Sequence, residues 1–299
     1  ILSASGAITT LVNGWRYVQP ANITSVAPTS GQVGTVVVVG GTRLPGGGDH
    51  IVDVTFSGVT ATIINQTVWS VAVAVGSSVD NDGSGDVVLT ADTGATVSKS
   101  VAWFYVDVGL VDTIEPPVGQ FGTRVTMTGQ GLRSGGDEIV QVALAGISTE
   151  VLFENNTYVV VQVDGDYTNP TALVGAVVLT ANTGGYLTTE QNWTYLEQGD
   201  VTVVSPTFGQ VGTYVEITGT HLRGHGDAVV SVSLVGIEAE LLEENNTYVR
   251  VRAEASTSGV GDVALTSNSG AVVTGVDAWT YRVEGSVSVV QPSSGQVGT

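Results

Sequence analysis

The run Asp80-Asn81-Asp82-Gly83-Ser84-Gly85-Asp86 is the densest set of side chains in the chain that could do chemistry. Asp80, Asp82 and Asp86 could offer carboxylate oxygens to a calcium ion, a hard cation that takes oxygen ligands. The run is not an EF-hand loop, because Ala91 falls where that loop ends in Glu. A solvated acidic turn is the competing reading. Three histidines, His50, His221 and His225, do not recur in register, and His221 and His225 lie beside a glycine loop with no matched carboxylate or nucleophile. The chain has no cysteine, which removes disulfides, metal thiolates and thiol nucleophiles together. No catalytic constellation is visible, so the chain is not expected to be an enzyme and is expected to need no cofactor. The remaining chemistry is that of acceptors for N-linked glycans. Asn65-Gln66-Thr67, Asn155-Asn156-Thr157 and Asn245-Asn246-Thr247 fit the acceptor pattern, and so do Asn22-Ile23-Thr24 and Asn192-Trp193-Thr194. Plain polar turn residues are the alternative.

These residues lie on a repeating frame. Gly31-Gln32-Val33-Gly34-Thr35 returns as Gly119-Gln120-Phe121-Gly122-Thr123, Gly209-Gln210-Val211-Gly212-Thr213 and Gly295-Gln296-Val297-Gly298-Thr299, at spacings of 88, 90 and 86 residues. A second marker keeps the same period: Trp15-Arg16-Tyr17, Trp103-Phe104-Tyr105, Trp193-Thr194-Tyr195 and Trp279-Thr280-Tyr281. Two markers with one period mean tandem repeats, and a unit of this length is a small domain rather than a solenoid repeat. The division expected is 1–20, the last strands of a preceding repeat; 23–107, 108–198 and 199–285, three whole repeats; and 286–299, the first strand of another. Joined, the two stubs fall far short of a repeat, so a window cut from a longer array is expected, the alternative being that neighbouring molecules complete the stubs. The glycan acceptors at 65, 155 and 245 follow the beat at 90 residues each, which is read as placing them in register with the repeats.

Forty glycines, many Val and Thr residues, and 12% charged residues point to short strands joined by tight turns. Strict alternation places Val125 and Met127, or Val215 and Ile217, toward a core. In the first repeat Val36 and Val38 occupy the outward positions, so they are either tolerated surface residues or a subunit contact. The loop Arg43-Leu44-Pro45-Gly46-Gly47-Gly48-Asp49 lacks the Gly-Lys-Ser/Thr ending and following helix of a phosphate cradle, so a mobile or tightly turned loop is expected. The Trp-x-Tyr strands put both aromatic rings on one face, as core packing requires. About seven short strands per repeat with no amphipathic helix predict an all-β, immunoglobulin-like β-sandwich.

The pattern Pro28-x-x-Gly31-x-x-Gly34-Thr35, then Gly41-Thr42-x-Leu44, Val54 to Gly58, Gly85-Asp86-Val87-Val88 and the closing aromatic-x-Tyr resembles the TIG (IPT) family. That family's immunoglobulin-like domains occur in plexin-type receptors, fibrocystin-like ectodomains, microbial surface proteins and some transcription factors. The resemblance covers nearly the whole chain and implies a binding or structural role without catalytic residues.

A net charge of −19 with nine Lys and Arg residues argues against nucleic acid and against an anionic membrane surface. No apolar run is long enough to span a bilayer as a helix. Linkers as short as Leu196-Glu197-Gln198-Gly199-Asp200 reach at most about 18 Å when extended, so successive repeats are expected nearly to touch and to stack semi-rigidly into a rod, a plain connection with no interface being the alternative. The expected function is a structural component of an extracellular, glycosylated filament, stalk or surface coat that associates with copies of itself. The alternative is a cell-surface receptor or adhesin ectodomain that binds a protein or carbohydrate, which predicts one divergent repeat with unusual exposed residues.

Overall fold

A computed structural model describes residues 1–78, 84–164 and 172–297. The described residues form strands and turns with no helix. The first repeat contains β1 (Asn22–Ala27), β2 (Ser30–Gly31), β3 (Val36–Thr42), β4 (Ile51–Phe56), β5 (Val59–Thr60), β6 (Thr62–Gln66), β7 (Ser70–Ala74), β8 (Ser84–Ala91) and β9 (Thr96–Tyr105). They make two sheets, in the orders β1-β3-β7-β6 and β2-β9-β8-β4-β5. All pairs are antiparallel except β2 on β9, where Ser30 and Gly31 lie beside Phe104 and Tyr105.

Alternation builds the core between the sheets. Val37 and Val39 of β3, Val71 and Val73 of β7, and Val54 and Phe56 of β4 are fully buried. Trp103 packs edge-on against Phe56 at 5.1 Å and Tyr105 at 5.6 Å between ring centres. Such pairs contribute roughly 0.5–1.5 kcal/mol beyond their buried area. The third repeat has the same plan, with Val215, Ile217, Val249, Val251 and Trp279 fully buried. There, one strand, Ile237–Glu244, replaces β5 and β6 and pairs first with Val229–Leu234, then with Tyr248–Arg252. In residues 1–20, by contrast, Trp15 and Tyr17 have no sheet beneath them and are exposed.

By contact the chain divides into two compact units that do not follow the repeats. The first holds Ile1–Gly109 with Arg133–Val140 and Thr180–Leu187; the second holds Leu110–Leu132, Gln141–Leu179 and Thr188–Thr299. A glycine-rich loop and a hairpin tip of the second repeat therefore belong with the first repeat.

Candidate functional site

The recurring pentapeptide is a turn held from inside. The hydroxyl of Thr35, itself fully buried, accepts the Gln32 N–H at 3.1 Å. Thr123 and Thr213 do the same for Gln120 and Gln210, both at 3.0 Å. Gly31 must be glycine because a Cβ there would collide with the Thr35 side chain. Gly34, Gly122 and Gly212 have φ of 83°, 82° and 83°, a left-handed conformation that disfavours side chains. The X–Pro bond before each of these turns is cis.

Two of the turns grip a hairpin tip. In the first unit the Val36 N–H donates to the Thr183 carbonyl at 2.7 Å, and the Tyr186 N–H returns to the Val33 carbonyl at 3.3 Å. Gln32 adds a side-chain bond, Nε2 to the Tyr186 carbonyl, at 2.7 Å. In the second unit Arg124 N–H donates to Ser269 at 2.9 Å and Val272 N–H to Phe121 at 3.1 Å. Gln120 Nε2 donates to the Val272 carbonyl at 3.1 Å, while its Oε1 accepts the linker N–H of Gly199 at 2.8 Å. The glycines interlock: a Cβ on Gly122 would lie 2.8 Å from the Gly270 carbonyl, and one on Gly270 would lie 3.0 Å from the Gly122 carbonyl. The arrangement is a short antiparallel bridge with one glutamine clamp. It is sequence-tolerant because main-chain groups make most of it.

The tip is rigidly mounted. Asn182 Oδ1 accepts the Asp137 N–H at 3.2 Å, and Asn268 Oδ1 accepts the Asp227 N–H at 2.9 Å, tying each tip to its glycine-rich loop. Asp92 plays the same part for Asp49 at 3.1 Å. The glycine-rich loops are thus tight and packed: a Cβ on Gly135 would lie 3.0 Å from Val106 and 3.4 Å from Gly31.

The other sequence candidates fall elsewhere. Asp80 and Asp82 lie outside the described residues. Asp86 Oδ1 accepts the N–H of Val101 at 3.0 Å, where Val101 has φ 51°. Asp262 does the same for Asp277 at 2.8 Å, so this aspartate supports a bulge in the closing strand. No group of three His, Asp or Glu residues able to hold a metal occurs among the described residues. His50 Nδ1 sits 3.5 Å from Asp92 Oδ2 at the surface, and His225 Nε2 bonds the Glu197 carbonyl at 2.7 Å with His221 stacked nearby.

Asn155 Oδ1 accepts the N–H groups of Thr157 and Tyr158 at 2.8 Å each, and Asn245 repeats this with Thr247 and Tyr248 at 2.9 Å. In the first repeat the hydroxyl of Thr67 takes that role, accepting from Trp69 and Ser70. Asn65 is therefore two residues out of structural step with Asn155 and Asn245, although the numbers differ by 90. Asn65, Asn22 and Asn192 are exposed. Val36 is part of the turn-to-tip grip, whereas Val38 stands outward, 46% exposed.

One ion pair is well built. Arg223 donates twice to Glu244, at 2.9 and 2.8 Å, and Glu244 Oε2 also accepts the Val229 N–H at 3.1 Å. The bond from Arg223 holds the Glu244 carboxyl below its ordinary 4.5 against an opposing desolvation effect. Burial pushes the hydroxyls of Tyr105 and Tyr195 up to about 12, so neither serves as an acid or base near neutrality. Sequence reasoning marked the pentapeptide as a turn but missed that Gln32 and Gln120 are its gripping side chains. The available signal was the glutamine itself, present in all four copies.

Tandem β-sandwiches joined by main-chain grips define a class of serial, immunoglobulin-like modules. The chain belongs to the IPT/TIG domain family, which it matches at residues 21–105, 110–195 and 200–281. Among solved structures it is similar to the plexin A4 extracellular region, at 18% identity and a TM-score of 0.45. That match covers 86% of this chain and 23% of plexin A4, so the chain spans about a quarter of that region's length. It is also similar to SGBP-B of the Bacteroides ovatus mixed-linkage glucan utilization locus, solved with a mixed-linkage heptasaccharide, at 11% identity and a TM-score of 0.26 over 91% of this chain and 69% of that one. No curated protein matches the sequence.

Proposed function

We propose that the chain is a non-catalytic segment of an extracellular or cell-surface ectodomain, in which TIG domains coupled in series carry a ligand-binding patch on the first repeat. The observation that supports this reading most is Trp69. It is 58% exposed beside the half-exposed Val68, where the other repeats have Asn156-Thr157 and Asn246-Thr247. With Val18, Gln19, Arg43 and Pro45 it lines a cavity of about 330 Å³. A rigid exposed indole beside a guanidinium suits an interface anchor or a stacked sugar ring. The ligand class is accordingly a protein or a carbohydrate.

The test is binding of the labelled chain to an oligosaccharide array and to intact cells, comparing wild type with Trp69→Ala and Phe153→Ala. Phe153 is similarly exposed on the second repeat. Loss of binding in the first variant alone supports the patch; equal binding, or none by any form, removes it. The second reading is a filament, stalk or surface coat, favoured by the grip being made twice at aligned positions, through main-chain groups and one glutamine each. In either setting Asn155 and Asn245 are proposed to carry N-linked glycans, since their turn bonds use Oδ1 and not the Nδ2 that a glycan occupies. Asn65, Asn22 and Asn192 are proposed acceptors on their exposure.

A further inference from the structure

Beside the grip that joins the second repeat to the third lies an open groove of about 580 Å³. Pro116, Arg124 and Gln162 line it from the second repeat, and Asn268, Ser269 and Val272 from the third. None of the residues lining it is acidic, in a chain with 28 Asp and Glu residues. Arg124 and Gln162 stand opposite each other on neighbouring strands. Among the described residues the Arg124 guanidinium makes no ion pair and the Gln162 amide no hydrogen bond. Asn268 Oδ1 is occupied by the N–H groups of Asp227 and Ala228, whereas Ser269 Oγ accepts only a 3.4 Å bond from Ala271 and keeps its proton free to donate.

The grip itself does not need this polar pair. Where the first repeat meets the second, Val36 and Ala74 hold the places of Arg124 and Gln162, and Tyr186 that of Val272. The main-chain bonds are nonetheless the same at both joints: Val36 and Arg124 each donate to a tip, and Tyr186 and Val272 each donate back. The guanidinium and the amide are thus left over for something else. Side by side they offer a forked donor to a carboxylate, and a donor with an acceptor to hydroxyl groups.

We infer that this groove binds a carboxylated sugar, a uronic acid unit of an oligosaccharide. Arg124 takes the carboxylate, Gln162 and Ser269 take ring hydroxyls, and Pro116 and Val272 meet the C–H face of the ring. The volume is that of a small-molecule site, and such sites favour domain interfaces. An extended peptide is the poorer fit, because it binds by adding to a sheet edge. The strands beside the groove, Arg124–Gln130 and Gly259–Ser267, are already paired on both sides. The site goes beyond the proposed function and is separate from the patch at Trp69.

The test is calorimetric titration of the full chain with trigalacturonate, its methyl ester and triglutamate. Physiological salt screens charges beyond about 8 Å, so the net charge of the chain does not mask the site. The expected result is one trigalacturonate per chain and no binding of the ester or the peptide. Arg124→Gln keeps the Cγ that packs near Gly270 and should weaken binding about tenfold to a hundredfold. Gln162→Ala should weaken it several-fold, and decides the matter if the first variant does not fold. Arg250→Gln, which removes a positive charge elsewhere, should bind as wild type. No binding of trigalacturonate, equal binding of the ester, preference for triglutamate, or undiminished binding by the Arg124 and Gln162 variants overturns the proposal. Loss in Trp69→Ala with retention in Arg124→Gln also overturns it and places the sugar on the first repeat.

Discussion

Gly122 and Gly212 occupy the same turn with φ values one degree apart, yet only Gly122 is closed over by a tip. The turn's shape is therefore set by its own residues, by the Thr hydroxyl and the two glycines, before any partner arrives. What docking adds is two main-chain bonds and the second bond of the glutamine. A joint of this kind is pre-organised, and little ordering entropy remains to be lost when the tip engages.

The largest expected separation between the two turns comes from adding a methyl group. Gly212→Ala should destabilise the third repeat by about 1–2 kcal/mol through left-handed strain alone. Gly122→Ala carries the same strain and a backbone clash with Gly270, which adds about 1–3 kcal/mol. Urea unfolding followed by the buried indoles of Trp193 and Trp279 reads the two repeats. Equal losses would mean that the grip is not close-packed.

Removing the glutamine should have a smaller effect. Gln120→Ala deletes bonds to Val272 and Gly199 and should lower the coupling between second and third repeats by about 1–3 kcal/mol, at about 0.5–1.5 per bond. Gln210→Ala deletes only the bond from Gly285 and should change thermal unfolding little. The readout is whether the Trp193 and Trp279 transitions, expected to coincide in wild type, separate in the first variant and stay together in the second.

Acid sharpens a related contrast between repeats. Glu244 in the third repeat is bonded by Arg223 and Val229, whereas the first repeat has neutral Gln66 bonding both the N–H and carbonyl of Ile51. The folded carboxyl of Glu244 is depressed below its unfolded value. Its stabilisation is thus fully present above the ordinary carboxylate range and is lost as pH falls through the depressed value. Glu244→Gln should flatten this part of the third repeat's stability–pH profile and leave the first repeat's unchanged. The smallest expected effect is at the Asx turn: Asn245→Ala should cost about 1 kcal/mol in thermal unfolding and abolish any glycan at that position.

Much of the fold was legible because it is local. Alternation named Val125, Met127, Val215 and Ile217 as core, and the paired markers showed three sandwiches with Trp and Tyr inside. The grip was not legible because its partner lies some 150 residues away and is met mainly through carbonyl and N–H groups that every residue carries. The acceptor register misled for another reason. The first repeat is two residues shorter than the second by the pentapeptide count, 88 against 90, so Asn65 lands at a spacing of 90 by number while Thr67 holds the structural place. The exposed indole was hidden too, since Trp69 reads as one more strand residue until its neighbours on the turn are seen.

Each repeat carries a turn at one point of its sequence and a tip at another, and neither half depends on which repeat supplies the other. Gene duplication or loss that adds or deletes one whole module would leave every surviving joint with a compatible mate. Array length could then change without repair of the interfaces.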